Sequence, residues 1–496
     1  MRGGKARRHC ATALALSLSA CSLAPQLITP KVPAAVVFKE TGAWTRAEPA
    51  DRLPRASWWA LYGSARLNEL QSELVSGNPT LATAWANYAA ARALEDQARA
   101  AMLPRLGLNA GVTRNRGSED APLRGPSTPT YYDDNAFGGE VSYEFDLWGR
   151  IRNEVAAGSA TAAASRADLE NVRLSLAAQL AANYIQLRSE DRTKSILDAT
   201  VKAYARALAL TEARHRAGIV PGLDVAQAQT QLDTARSQVA QTLARRALVE
   251  HAIAGLLGVT ASKFDIPPGE FDLKLPHIPV GVPASLLERR PDIAAAQRRM
   301  FAANAEIGVA RAAYFPSLTL DAQGGFESSA FADWLSAPSA YWAIGPNVLL
   351  SVFDGGLRRA RVAQARAEFN VSSENYRGVV LNAFQQVEDA LAELNHYYDA
   401  AQQEQSAVIA AQHALDLSLV LYKQGATDYL SVITAQATLL QSQLQTLNLQ
   451  ALQLLASVDL IRALGGGWED RLANVTETSR LRTSASCPAP LGGCMP

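Results

Sequence analysis

Polar and apolar positions along the chain follow two different periods. Over 106–113, Leu106, Leu108, Ala110 and Val112 alternate with Gly107, Asn109, Gly111 and Thr113. Over 141–147, Val141, Tyr143, Phe145 and Leu147 alternate with Ser142, Glu144 and Asp146. Over 318–325, Leu318, Leu320, Ala322 and Gly324 alternate with Thr319, Asp321, Gln323 and Gly325. A fourth stretch, 342–353, carries Trp342, Ile344, Val348, Leu350 and Val352 on one side. A period of two predicts strands. Each run is about ten residues, the length a tilted strand needs to cross a bilayer. Pro346 lacks a ladder donor and counts against a full-length fourth strand. Polar loops over 114–136 and 327–341 join the strands into two hairpins, 105–148 and 317–354.

Elsewhere the period is helical. No proline occurs between Pro129 and Pro221, or between Pro346 and Pro488. From Arg150 to Arg214 the one glycine is Gly158. Good helix formers (Ala, Leu, Gln, Arg, Glu) dominate these stretches. A single helix over 150–214 extends about 100 Å at ~1.5 Å per residue. The last stretch places Leu440, Leu444, Leu447, Ala451, Leu454, Val458 and Ile461 at alternating steps of 4 and 3, a coiled-coil seam. Gly218 and Gly425 stand where one helix should end and the next begin, which fits a left-handed C-cap. Asp224 and Ser431 then fall near the first turn of the following helix, where a side-chain oxygen accepts from orphan N–H groups.

The chain repeats itself. Residues 215–232 align with 422–439: Gly218 with Gly425, Leu223 with Leu430, Val225 with Val432, and Ala228-Gln229 with Ala435-Gln436, all at an offset of 207. Pro79 and Pro104 align with Pro291 and Pro316 at 212, and Phe145-Asp146 with Phe353-Asp354 at 208. Solenoid repeats have periods of about 20–50 residues, so here one large unit is used twice. The joint between the copies is Pro-rich, from Pro267-Pro268-Gly269 through Pro276, Pro279 and Pro283, and reads as a linker or small extra element.

Composition narrows the picture. Lys+Arg and Asp+Glu each total 47, which gives no reason to expect nucleic acid as a partner. A hydrophobic fraction of 48% suffices for a large core, and four cysteines rule out a disulfide framework. Beyond the N-terminus no run of 18 apolar residues occurs, which excludes a helical multipass protein. Arg2, Lys5, Arg7 and Arg8 precede the apolar run 11–18, as in a secretory signal. Leu18-Ser19-Ala20-Cys21 resembles the lipobox of bacterial lipoproteins. In those proteins the cysteine is diacylated on sulfur, the signal is cut before it, and the new amine is acylated. Ser22 stands where an inner-membrane retention Asp often lies, which favours the outer membrane. Removing the four signal cations leaves a mature net charge of −4. No cofactor is expected apart from the covalent lipid on Cys21. Cys10 leaves with the signal, and for Cys487 and Cys494 a disulfide and free thiols both stay open.

Strands that span lipid cannot leave an open edge. Four cannot close, since the smallest barrels have about eight. Copies of the chain must therefore share one barrel: two give eight strands around a filled interior, three give twelve around a lumen.

These features resemble the TolC-like outer-membrane factors of Gram-negative bacteria, in the lipoprotein branch that serves resistance–nodulation–division efflux pumps. The matching residues are the Cys21 lipobox, Trp58-Trp59-x-x-Tyr62 before Leu67-x-x-Leu70, Asn78-Pro79-x-Leu81, Phe145-Asp146-Leu147-Trp148-Gly149-Arg150, and the two Gly-x(4)-Leu-x-Val-x-x-Ala-Gln turns. The resemblance implies a mainly α fold with a membrane β-barrel part. Long coiled-coil helices form an α-barrel, and four strands per protomer contribute to a trimeric twelve-stranded barrel. It implies an outer-membrane channel that passively exports drugs or small molecules. The expected partners are a periplasmic membrane-fusion adaptor, an inner-membrane resistance–nodulation–division pump and outer-membrane lipid. The expected divisions are a signal peptide 1–20, a lipid-anchored segment 21–63, a first repeat 64–258 with its tip turn near 218–224, and a linker 259–288. A second repeat 289–464 follows, with its tip turn near 425–431, then a C-terminal segment 465–496. An equatorial collar is expected from about 40–70, 260–285 and 465–480.

Related channels place acidic residues in the second tip turn. The matching positions here are Ser431 and Thr434, so that ring is absent. The expected periplasmic constriction is then an apolar ring of Leu430, with Asp224 or Asp428 supplying charge. Ordinary helix-start chemistry is the competing role for both aspartates. No catalytic or metal site is expected: His215, His251, His277, His396 and His413 are scattered, and no Cys-x-x-Cys, Walker A or Gly-x-Gly-x-x-Gly occurs. Two rivals remain at this point, the same duct serving type I protein secretion and a pore-less periplasmic coiled-coil scaffold.

Overall fold

The computed structural model describes residues 22–30, 38–40, 57–120, 122, 125, 127–276, 278 and 290–466. The signal region, Cys21, Cys487, Cys494, residues 279–288 of the linker and the C-terminal segment past 466 lie outside the described residues. The elements run α1 (Ala65–Gly77), α2 (Pro79–Ala100), β1 (Arg105–Arg116), β2 (Tyr131–Phe145), α3 (Arg150–Arg216), α4 (Gly222–Leu256), α5 (Pro291–Ala312), β3 (Ser317–Ser328), β4 (Ala340–Leu349), α6 (Leu357–Gln424) and α7 (Tyr429–Ala463). The duplication is visible in lengths. Helices α3 and α6 have 67 and 68 residues, and α4 and α7 have 35 each. Among the described residues no helix is long and apolar enough to cross a membrane.

The chain forms two compact units. One comprises Met1–Lys31, Asn87–Arg166 and Ala295–Arg377 and contains the sheet. Its strand order is β1-β2-β3-β4, with every neighbouring pair antiparallel. The register sorts the side chains. Leu106, Val141, Ala322 and Ile344 form one row across the sheet, and Leu108, Gly139, Gly324 and Trp342 the next. Neighbours in the strands put Gly107, Glu140, Gln323 and Ala343 in a row on the opposite face. One face is therefore apolar and the other polar, because side chains alternate sides along a strand. Leu108 is 84% exposed and Trp342 79% exposed, so the apolar face has no cover among the described residues.

The strands differ from expectation in extent. Strand β2 begins at Tyr131, well inside the stretch expected as loop, and β1 extends to Arg116. The loop 327–341 is shortened by both flanking strands and contains short 3₁₀ turns at Phe331–Asp333 and Ala337–Ser339. Pro346 sits within β4 opposite Leu320. Within the described sheet β4 is an outer strand, the position where a proline is tolerated. Strand β4 stops at Leu349, short of the expected 353.

The same device joins strand to long helix in both copies. After β2, the Asp146 carboxylate accepts from the Ile151 N–H at 3.1 Å and from the Arg152 N–H at 2.9 Å. After β4, Asp354 accepts from the N–H groups of Gly356 at 3.0 Å and Arg358 at 3.1 Å. Each Asp thus satisfies donors that a helix start leaves orphaned. Trp148 completes the first junction: its Nε1–H donates to the Pro316 carbonyl at 2.8 Å, and its ring stacks on Phe315.

The other unit comprises Val32–Ala86, Ala167–Ala294 and Gly378–Pro496. Asn78 accounts for the Asn-Pro motif. Its Oδ1 accepts from Leu81 N–H at the start of α2, and its Nδ2 donates to the Leu256 carbonyl at the end of α4. The described part of the linker contains a 3₁₀ turn, Ala261–Lys263, and is then held by ions. Buried Asp191 accepts from Arg188 at 2.8 Å, Arg246 at 2.7 Å and the Gly269 N–H at 3.1 Å. Tyr62, fully buried, ties the described part of the linker to α7: its carbonyl accepts from Lys274 N–H at 3.2 Å, and its hydroxyl pairs with Ser457 at 2.7 Å.

At the centre of the sheet a Cβ on Gly325 would lie 2.2 Å from the Phe137 carbonyl oxygen, whereas one on Gly324 meets nothing nearer than 3.4 Å. Gly325→Ala is therefore expected to destabilise the sheet by about 1–3 kcal/mol, the range for overpacking. Thermal unfolding in detergent should show a lowered midpoint for Gly325→Ala and little change for Gly324→Ala; equal midpoints would disprove the close approach.

Candidate channel gate at the helical hairpin turns

Each long helix pair turns through a left-handed glycine, Gly218 with φ 69° and Gly425 with φ 76°. Both turns close in the same way. Gly218 N–H donates to the His215 carbonyl and Ile219 N–H to that of Arg214; Gly425 donates to Tyr422 and Ala426 to Leu421. A Cβ on either glycine would meet nothing within 4 Å, so the requirement is backbone conformation and not space.

The two copies then diverge. In the second, Asp428 is the N-cap of α7. Its Oδ1 accepts from Ser431 N–H at 3.1 Å and from the Ser431 hydroxyl at 2.7 Å. In the first, the N-cap is Pro221, which has no side-chain acceptor, and Asp224 lies in the first turn without capping it. The expectation that Asp224 and Ser431 supply capping oxygens is corrected: in the second copy Asp428, three residues earlier, does so with Ser431 as its donor, and in the first copy no side chain caps the helix. Proline at the cap of the first copy leaves the following helix start to its backbone alone.

Nine buried residues draw the two hairpins into one cluster: Tyr204 and Leu208 of α3, Ala228, Leu232 and Ala235 of α4, Tyr422 of α6, and Tyr429, Val432 and Ile433 of α7. Arg214 ties them. Its guanidinium donates to the Tyr422 carbonyl at 2.6 Å and lies 4.6 Å from the centre of the Tyr422 ring. Tyr422 and Tyr429 rings are 5.2 Å apart. Burial, with Tyr422 nearby, pushes the Tyr429 hydroxyl up to about 12.

The cluster also brings the two aspartates within electrostatic reach. Asp224 is raised above the ordinary carboxylate value, first by desolvation and then by the Asp428 charge, with Arg214 opposing. Asp428 is lowered, chiefly by the Ser431 hydroxyl bond. Leu430 points away from the cluster and is 55% exposed. It lines a cavity of about 470 Å³ with Asp428, Ser431, Thr434 and Thr438 of α7 and Ala411 and Ala414 of α6. Four of the five residues expected at the constriction thus share one concavity, and Asp224 stands outside it. Sequence reasoning missed Arg214, Tyr204, Tyr422 and Tyr429. The spacing Tyr422-x-x-Gly425 was the available signal, since an aromatic one turn before a glycine cap can pack across the turn.

The model of the outer membrane efflux protein family matches the chain twice, over residues 70–259 and 282–466. The chain belongs to the outer membrane efflux protein family. It is 31% identical over 468 residues to the probable efflux pump outer membrane protein SepC of Pseudomonas putida, covering 92% of this chain and 96% of that one. It is 31% identical over 464 residues to the outer membrane protein OprJ of Pseudomonas aeruginosa, covering 92% and 95%. Among solved structures, the outer-membrane channel OprN superposes with a TM-score of 0.83 at 29% identity, over 90% of this chain and all of that one. The open state of the MtrE channel of Neisseria gonorrhoeae gives 0.81 at 27% identity, over 90% and 99%. The family is one of channels, not enzymes. Among the described residues no cluster of His, Cys, Asp and Glu stands ready to hold a metal ion.

The opposite shifts of the two aspartates separate their effects on this efflux channel as pH falls. Asp224, raised, binds its proton more tightly in the fold, so acid relieves it first. Asp428, lowered, contributes stability that is present above its unfolded value and is lost as pH falls through its folded value. Asp428→Ala should weaken the start of α7 by removing the acceptor of the Ser431 N–H. Amide exchange at Ser431 should then rise severalfold at neutral pH. An unchanged rate would show that the cap is not formed.

Proposed function

We propose that three copies of this outer-membrane efflux channel close one twelve-stranded barrel, each contributing β1 to β4. The observation that supports this is the sheet itself: one apolar face, one polar face, and outer strands β1 and β4 that each pair on one side only among the described residues. Pairing β1 of one copy with β4 of the next satisfies both edges, turns the apolar face to lipid and leaves the polar face lining a lumen. The long helices continue the conduit into the periplasm. A membrane-fusion adaptor and a proton-driven inner-membrane pump supply small molecules to it, and the channel itself does no chemical work. The relatives named for toluene efflux and pyoverdine export favour small-molecule efflux over type I protein secretion. A pore-less scaffold has no use for strands of this register. Cys21 carries the lipid anchor.

The periplasmic constriction in this reading is a ring of three Leu430 side chains. Ser431 and Thr434 hydroxyls border it, and Asp428, which shares its concavity, or Asp224 gives it negative charge. Leu430 suits the role because it is exposed at a hairpin turn where its neighbours on α7, Tyr429, Val432 and Ile433, are buried. Planar-bilayer recording of the purified channel tests this. Leu430→Ala should raise the resting conductance severalfold, and Asp224→Asn should shift selectivity away from cations. Unchanged conductance and selectivity in both variants would remove these residues from the gate.

A further inference from the structure

The duplication repeats a hydrogen-bond register as well as a sequence. Advancing β1 by 212 residues and β2 by 207 turns Arg105↔Ser142 into Ser317↔Leu349 and Leu106↔Val141 into Leu318↔Val348, the pairs that β3 and β4 make. The β1–β2 ladder thus recurs in β3–β4 without a slip. The contact between β2 and β3, where the first copy of the repeat meets the second, has no counterpart on the free side of β4 among the described residues.

Past Leu349 the ladder stops but the alternation does not. Leu350 and Val352 continue the apolar side of Ile344 and Val348, and they are 48% and 89% exposed. The same 207 residues earlier stand Tyr143 and Phe145, which are still strand. They lie beyond the last β1 pair, Arg105↔Ser142, and are held by β3 alone, opposite Leu320 and Leu318. The second copy therefore has the sequence of the longer strand and lacks only the neighbour that would hold it. The extra residue that sets Phe353 at 208 from Phe145 falls after Val352, past this ladder.

We propose that β4 takes β1 of a second copy in the register that the β2–β3 contact prescribes, and that Leu350, Ser351 and Val352 become strand only there. This rests on the reading of a barrel shared between copies; the register and the added strand segment go beyond it. The transfer turns Phe145↔Leu318 into Val352 opposite Leu106 of the next copy. It turns Tyr143↔Leu320 into Leu350 opposite Leu108, and Val141↔Ala322 into Val348 opposite Ala110. Apolar residues then meet apolar residues at each step on one face. A slip of one residue sets Leu350 against Gly107 or Asn109 and turns the apolar side of one strand to the wrong face. At the far end Asn135↔Ser328 becomes Trp342 opposite Arg116. That guanidinium already lies 5.8 Å from the Tyr131 ring of its own chain, and the seam brings it a second ring.

Slips of two residues keep the faces, and disulfide trapping separates them. The test uses the full-length channel in lipid nanodiscs, with Cys487→Ser and Cys494→Ser as background. Residues directly opposite in an antiparallel pair have Cα atoms about 4.5–5.5 Å apart, within disulfide reach, whereas diagonal neighbours are about 7–8 Å apart. Within one chain β1 and β4 are three strand spacings apart, roughly 14 Å, so any bond joins two copies. On oxidation, Leu108→Cys with Leu350→Cys should give covalent dimer and trimer about tenfold faster than Leu108→Cys with either Val348→Cys or Val352→Cys. Leu106→Cys with Val352→Cys, also in register, should match the fast pair and replaces it should that variant fail to assemble. A slipped pair as fast as the direct pairs would overturn the register and leave the shared barrel standing. Rapid bonding of Ala110→Cys with Val348→Cys, but none at 350 or 352, would end the seam at Leu349 and overturn the added segment. No bond at any of these positions in material of trimer mass would overturn the seam as placed here. Material of monomer mass would overturn the shared barrel itself.

Discussion

An unpaired strand edge in hydrocarbon is the constraint on which this molecule depends. Each unsatisfied backbone group there costs several kcal/mol, and β1 and β4 present whole rows of them. No side-chain substitution removes that cost, so the chain is complete only in company. The apolar residues facing outward on the outer strands, Leu106, Leu108 and Val112 on one and Trp342, Ile344 and Val348 on the other, follow from it. They would be a liability on a soluble surface and are the required surface against lipid. The glycines at the β2–β3 contact serve the same end. Gly325 lets the Phe137 backbone pass closely, and Ser142 donates to Asp321 across that pair on the polar face.

Duplication supplies equal parts, and small differences between copies give those parts separate tasks. Equal helix lengths bring both hairpin turns to one cluster, where Arg214 can tie the first hairpin to the second. The strand roots are matched as well, by Asp146 in one copy and Asp354 in the other. Their aromatic partners differ: Trp148 stacks on Phe315, whereas Tyr314 lies under the Arg358 guanidinium. The turns differ in their caps. Asp428 is committed to Ser431, which leaves Asp224, uncommitted to any cap, as the carboxylate that feels its neighbour's charge.

Period and punctuation made most of the fold legible. The alternating runs mark all four strands, and the long proline-free stretches mark α3 and α6. Gly218 and Gly425 mark the turns because only a left-handed residue ends those helices. Boundaries were less legible. The polar start of β2, with Asp133 and Asp134, reads as loop because its partners across the sheet, Arg114 and Thr113, lie far off in sequence. Pro346 reads as a break because sequence does not say which strand lies outermost. The site was half legible. Leu430, Asp428 and Ser431 follow from their distance to a glycine, but the Arg214–Tyr422 tie depends on which faces of two coiled coils meet. The seam showed the same limit: Leu447, Leu454 and Ile461 are buried as expected, whereas Leu440 and Leu444 line a cavity with Gln441, Gln445 and Tyr204.

Magnitudes decide what can move the hairpin turns apart. Desolvation raises Asp224 more than the Asp428 charge does, and both carboxylates are largely solvated, so protonating Asp224 relieves only a weak, screened repulsion. Against it stand nine buried residues, of which each large apolar one contributes about 1.5–3 kcal/mol by burial. The apolar cluster wins by a wide margin. Charge at the turns is therefore a minor contribution to holding the two hairpins together, and titration alone does not separate them. Separation needs a comparable apolar surface offered from outside, or a torque carried along the 67- and 68-residue helices that end there.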